Sequence, residues 1–82
     1  MSWMYLIFED TRSTLFAEDL LIERGLEART LGKPPDWEGG CGLALRVSAG
    51  DLERARGILE SGGLHPLKAA PPPKRPGKQR LI

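Results

Sequence analysis

Residues 41–51 read Cys-Gly-Leu-Ala-Leu-Arg-Val-Ser-Ala-Gly-Asp, a strand pattern that runs straight into a helix start. Cys41, Leu43, Leu45 and Val47 point one way, and Gly42, Ala44 and Arg46 the other, as the two-residue period of a strand requires. Ser48-Ala49-Gly50-Asp51 then resembles a capping box, with Asp in place of the usual Glu. It predicts a helix to about Ser61 with an apolar stripe of Leu52, Ala55, Ile58 and Leu59, stopped by Gly62 and Gly63. Upstream, Leu26–Leu31 alternates as a half-exposed strand, and residues 32–40 form a loop with two prolines and a Gly-Gly pair. Before that strand, Asp10 and Thr11 supply a cap for a helix from about Arg12 to Arg24, its stripe built on Phe16, Ala17, Leu20 and Leu21 and widened by Leu15 and Ile22. Gly25 is its natural stop. The apolar, aromatic run Trp3–Phe8 reads as a first strand buried on both faces, hence central. Leu64–Ala70 supplies a fourth strand, starting before or after Pro66. The order β-α-β-β-α-β predicts an α+β, ferredoxin-like, two-layer sandwich: an antiparallel four-stranded sheet with both helices on one face. The other face is left open, a surface for a partner or for a second copy in a homodimer.

The chain has 82 residues, enough for one domain, taken as residues 1–70. A chain of this size buries roughly 60–65% of its surface, so a surface thiol, a groove or an oligomer interface suits it better than a deep active site. Net charge is +1, but Lys74, Arg75, Lys78 and Arg80 put +4 on the end of the chain and leave −3 on residues 1–68. A body of that charge argues against a nucleic-acid-binding domain, leaving only weak contact through the tail. The Pro-rich basic segment 71–82 has no apolar periodicity and is expected to be disordered or extended, most simply a solubilising extension. A single cysteine cannot form an internal disulfide and fits a reducing compartment. The apolar N-terminal run ends at Glu9, too short for a signal peptide or a membrane span. The expectation is a cytoplasmic protein without membrane contact.

Cys41 is the first candidate for chemistry. Glycines on both sides leave its sulfur uncrowded, and exposed backbone N–H groups in such a loop stabilise a thiolate. The bland reading is a small buried hydrophobe facing the same way as Leu43, Leu45 and Val47. His65, the only histidine, is read as an exposed residue beside Pro66 rather than as a base for Cys41. One Cys and one His cannot supply the ligands zinc needs, so no metal site and no cofactor are expected. Gly39-Gly40-Cys41-Gly42 lacks the Lys-Ser/Thr and the following helix of a phosphate loop. Lys33 and Arg46 can bring positive charge near the thiol or simply be solvated. Trp37 is either a contact residue or a lid over the small core. Paired catalytic carboxylates, a triad order and a cofactor loop are all missing, so the sequence does not read as a classical enzyme.

Cys41-Gly42-Leu43-Ala44-Leu45-Arg46, together with Tyr5-Leu6-Ile7-Phe8-Glu9-Asp10-Thr11, Ala17-Glu18-Asp19-Leu20-Leu21 and Asp51-Leu52-Glu53-Arg54-Ala55, resembles a small bacterial family labelled selenium/sulfur (Se/S) carrier protein-like. The resemblance covers about residues 4–68, and the hexapeptide at Cys41 is its most specific element. It implies a thiol that carries sulfur or selenium as a persulfide or perselenide. Cys41 would be the carrier atom, Gly42 would give access and Arg46 would be a partner for an anion. Donor and acceptor proteins would be the partners. The loop Lys33-Pro-Pro-Asp-Trp-Glu-Gly-Gly40 and the basic tail depart from the family pattern. The alternative is a non-catalytic interaction module that docks through the open sheet face and Trp37, with Cys41 as packing.

Overall fold

The computed structural model describes residues 2–73. Segment 74–82, most of the basic tail, lies outside the described residues. The elements follow in the order β1 (Trp3–Ile7), α1 (Thr11–Glu23), β2 (Ala28–Gly32), β3 (Leu43–Ser48), a 3-10 turn (Ala49–Asp51), α2 (Leu52–Ser61) and β4 (Lys68–Ala70). The strands form one sheet in the order β2-β3-β1-β4, every pairing antiparallel. This is the α+β ferredoxin-like arrangement.

The core lies between the helices and one sheet face. Leu6 and Phe8 alternate onto it from the β1 segment and Leu45 and Val47 from β3, while Ala17 and Leu21 of α1 and Ala55 and Leu59 of α2 close it from above. Both helices end in the same way, because both sequences place glycine just past the last turn. In α1 the Gly25 N–H reaches the Ile22 carbonyl and the Leu26 N–H reaches Leu21, both at 3.0 Å. In α2 Gly63 reaches Glu60 at 3.0 Å and Leu64 reaches Leu59 at 2.9 Å. These are paired Schellman closures. Each needs a left-handed residue, and Gly25 and Gly63 have φ of 87° and 77°. Each delivers a buried leucine, Leu26 or Leu64, to the core just after the turn.

Four expectations need correction in detail. The capping box is not made: Ser48 offers no side-chain cap, because it is still paired with Trp3 as the last residue of β3, and the Ala49 N–H goes to the Ser2 carbonyl. The α1 stripe is narrower and rotated. Thr14, Ala17 and Leu21 are its buried residues, whereas Leu15, Phe16 and Ile22 are 45%, 51% and 53% exposed, since a small sheet contacts only one strip of the helix. The fourth strand is just Lys68–Ala70, entered after Pro66. Finally, β3 begins at Leu43, not Cys41.

The second sheet face is partly roofed. Ile7 and Ala44 alternate away from the helices yet are 1% and 0% exposed. The loop 33–42 comes down on Ile7, with Gly40 against its side chain. Its base is closed by the Lys33 N–H to the Gly42 carbonyl at 2.9 Å, and Pro34 and Trp37 close a turn at 3.1 Å. Trp37 meets Tyr5 edge-on with ring centroids 5.9 Å apart, and the Lys68 ammonium sits 4.2 Å from the indole centroid. Trp37 therefore covers the sheet face away from the helices, not the core that the lid reading gave it. This cover also explains why β1 reads as apolar on both faces: helices cover one and the loop covers the other at its C-terminal end.

Candidate functional site

Cys41 sits in the loop just before β3, where its N–H donates to the Phe8 carbonyl at 3.3 Å. That bond fixes the residue at the C-terminal end of β1, on the helix side. The side predicted from strand parity holds, but the chain there is not yet strand, so the sulfur is half-buried rather than packed like Leu45. It faces the first turn of α1. Asp10 caps that turn: its carboxylate accepts from the Ser13 N–H at 2.7 Å, in the N-cap position where the backbone is extended. The Ser13 hydrogen bonds, backbone first and then side chain, hold the Asp10 carboxyl below its ordinary value.

Thr14 comes from the same turn and is fully buried. Its Oγ1 lies 3.5 Å from the Cys41 Sγ and 2.9 Å from the Asp10 carbonyl oxygen. The Leu43 carbonyl lies 3.9 Å from the sulfur, a long contact that suits a protonated thiol as donor. Partial burial pushes the Cys41 thiol up. Against it act the Thr14 hydroxyl, the backbone at Leu43, the Thr11 hydroxyl and the Cys41 backbone, and together they outweigh burial, so the thiol lies below its ordinary value. The groups that favour the thiolate are two hydroxyls from the first turn of α1, Thr14 and Thr11, and the backbone of the thiol's own segment at Leu43 and Cys41.

The other sequence candidates are placed differently. Gly42 follows the cysteine, and a Cβ there would meet nothing within 4 Å. Arg46 is turned to the opposite sheet face, its guanidinium 4.0 Å from the Trp3 ring centroid. Arg46 pairs with Tyr5, three residues along from the Phe8 that holds Cys41, about 10 Å by strand rise, and its side chain leaves on the other face toward Trp3. The fold therefore does not bring Arg46 to the sulfur. Lys33 gives its ammonium to the Gly39 carbonyl at 2.6 Å, pinning the loop. His65 lines a cavity of about 270 Å³ between α2 and β4 with Arg56, Glu60 and Lys68. Thr14 is the residue that sequence reading passed over. Its signal was a hydroxyl three residues before Ala17, at the N-terminal end of the stripe 14, 17, 21.

Among the described residues no group of three or more His, Cys, Asp or Glu side chains is placed to hold a metal ion. No described helix is long and apolar enough to cross a membrane. Neither a curated protein nor a solved structure matches the sequence. The family described as "Putative Se/S carrier protein-like" matches residues 4–71, from the second residue of β1 through the last strand. A match over that much of the chain settles the relationship: the protein belongs to the Se/S carrier protein-like family.

Proposed function

We propose that the protein carries sulfur or selenium on Cys41 as a persulfide or perselenide, between a donor protein and an acceptor protein. The observation that carries this reading is the half-exposed sulfur set against the N-terminal turn of α1, with its pKa lowered by hydroxyl and backbone contacts. A carrier needs an accessible thiolate near neutral pH and no pocket for a large substrate. In loading, the Cys41 thiolate attacks the outer sulfur of a donor persulfide. The donor's S–S bond breaks, the donor departs as a thiolate, and a new S–S bond forms at Cys41. The outer sulfur keeps its proton, and neither oxidant nor reductant is consumed overall. Hand-off is the same displacement with the roles exchanged, and selenium follows the same course as the outer atom. Gly42 lies in open space next to the cysteine, which supports approach to Cys41 from solvent. Arg46 is turned to the opposite sheet face, so the carrier reading gives it no part in holding the outer atom.

The test is direct. The folded protein is exposed to a low-molecular-weight persulfide donor and its intact mass is measured, beside the Cys41→Ser variant. One added sulfur on the wild type, removable by a thiol acceptor and absent from the variant, is expected. Labelling of Cys41 by an alkylating reagent only after unfolding, or a wild type that takes up no sulfur, would overturn the reading.

A further inference from the structure

The sulfur has one neighbour whose hydrogen-bond arithmetic does not close in a single state. A threonine hydroxyl has one proton to give. The Thr14 Oγ1 is within reach of two acceptors, the Asp10 carbonyl at 2.9 Å and the Cys41 sulfur at 3.5 Å. With Cys41 protonated, the hydroxyl donates to Asp10 and its oxygen faces the thiol, whose single proton lies between Oγ1 and the Leu43 carbonyl. With Cys41 ionised, the sulfur has lost its proton and only accepts. The hydroxyl must then turn its proton from the carbonyl to the sulfur. That turn costs little at Asp10, because its carbonyl also accepts the Thr14 N–H at 3.2 Å, so no buried acceptor is orphaned.

We infer that Thr14 is a positioning residue whose hydroxyl reverses its hydrogen bond as Cys41 ionises, and that this reversal sets the reactivity of the carrier sulfur. The inference rests on the carrier reading and deepens it. Thr14 is fully buried while Cys41 is half-exposed, so the hydroxyl stands behind the sulfur and leaves its outer side free for donor and acceptor. The thiol proton departs to solvent from that outer side. When sulfur is handed on, Cys41 is the leaving thiolate. The hydroxyl is then in place to receive the charge, and a leaving thiolate of lower pKa leaves faster. The lowered thiol pKa, in which the Thr14 hydroxyl is the foremost of the lowering contacts, agrees with this geometry.

The inference makes a signature that loss of packing does not. In Thr14→Val the shape is kept and the hydroxyl is gone. Below the thiol pKa roughly tenfold less thiolate then forms, from the loss of a charge-assisted hydrogen bond. The thiolate that does form is more nucleophilic, with a Brønsted coefficient of about 0.4–0.5. The alkylation rate of Cys41 should therefore fall about threefold at low pH and rise about threefold at the high-pH plateau, so the two profiles cross. Thr14→Ser, which keeps the hydroxyl, should return the wild-type profile. Should the valine variant fail to fold, Thr14→Ala read by ultraviolet thiolate absorbance against pH answers the same question, with a higher titration midpoint expected. Superimposable profiles for wild type and Thr14→Val, or a serine variant that behaves as valine does, would overturn the inference. The failures separate cleanly. A wild type that refuses sulfur but shows the crossing removes the carrier and keeps Thr14, and a wild type that loads sulfur with no crossing removes only Thr14.

Discussion

The two ends of β1 carry opposite chemistry, although both are joined to one hexapeptide. At the Phe8 end, Cys41 hangs from the Phe8 carbonyl and meets the α1 turn, where neutral dipoles favour a thiolate. At the Trp3 end, Arg46 lies on an indole, with Arg29 directly across the β2–β3 pair. Like charges facing across strands repel, so the cationic end gains nothing from the sheet itself. Cys41 and Arg46 are five residues apart, and an extended chain converts that spacing into distance and an opposite face. Neighbourhood in a motif is therefore not neighbourhood in a site, and the sulfur's surroundings come instead from a helix turn 27 residues upstream.

The comparison is easiest to break at the loop that ties Cys41 to its end. Gly40 has a φ of +69°, and a Cβ there would stand 2.5 Å from the Ile7 Cγ2 and 2.6 Å from the Phe8 carbonyl oxygen. Gly40→Val should cost about 2–5 kcal/mol, from left-handed strain plus overpacking, read as a lower urea midpoint. It should also speed Cys41 labelling by lifting the loop. Gly42→Ala on the other side of the cysteine meets open space and should change stability by less than about 0.5 kcal/mol. Equal effects at the two glycines would mean that the loop does not rest on β1.

The Trp3 end gives a smaller effect. Arg46→Met keeps a long apolar stem over the indole and removes the charge. It loses a cation–π contact of about 0.5–1 kcal/mol and relieves repulsion with Arg29, so stability should move by less than about 1 kcal/mol. The pH profile of Cys41 labelling should not move at all. A shifted profile would show that the two ends communicate and would restore Arg46 to the sulfur's chemistry.

Much of this architecture was legible because each element carries its own local signal. The doubly apolar run Trp3–Phe8 announced a central strand, and glycines at 25 and 62–63 fixed where the helices stop. The element order then left one compact sheet topology to consider. What was not legible depended on contacts distant in sequence. The roof at Ile7 requires Trp37 to find Tyr5 and Lys68. The missing cap at Ser48 follows from its pairing with Trp3. Cys41 was visible as a lone glycine-flanked thiol, but its environment was not, because Thr14 reads as one polar residue in a helix until the fold turns it inward.

The smallest effect sharpens the comparison most. The Cys41 thiol and the Asp10 carboxyl are both held below their ordinary values, and both lie at the α1 turn. A group whose pKa is lowered by folding stabilises the fold once pH exceeds its unfolded value, and that contribution disappears as pH falls through the folded value. For Cys41 the unfolded value is about 8.5. The stability of the wild type relative to Cys41→Ser should therefore rise as pH climbs from the lowered folded value to about 8.5, and then stay level. Asp10 contributes its own rise at acid pH, ending near the ordinary carboxyl value of about 3.9, but it is present in both proteins and cancels from the difference. Urea midpoints measured under reducing conditions across that range give the curve. A difference that falls with pH would mean that burial governs the thiol, and the Phe8 end would then be packing rather than a site.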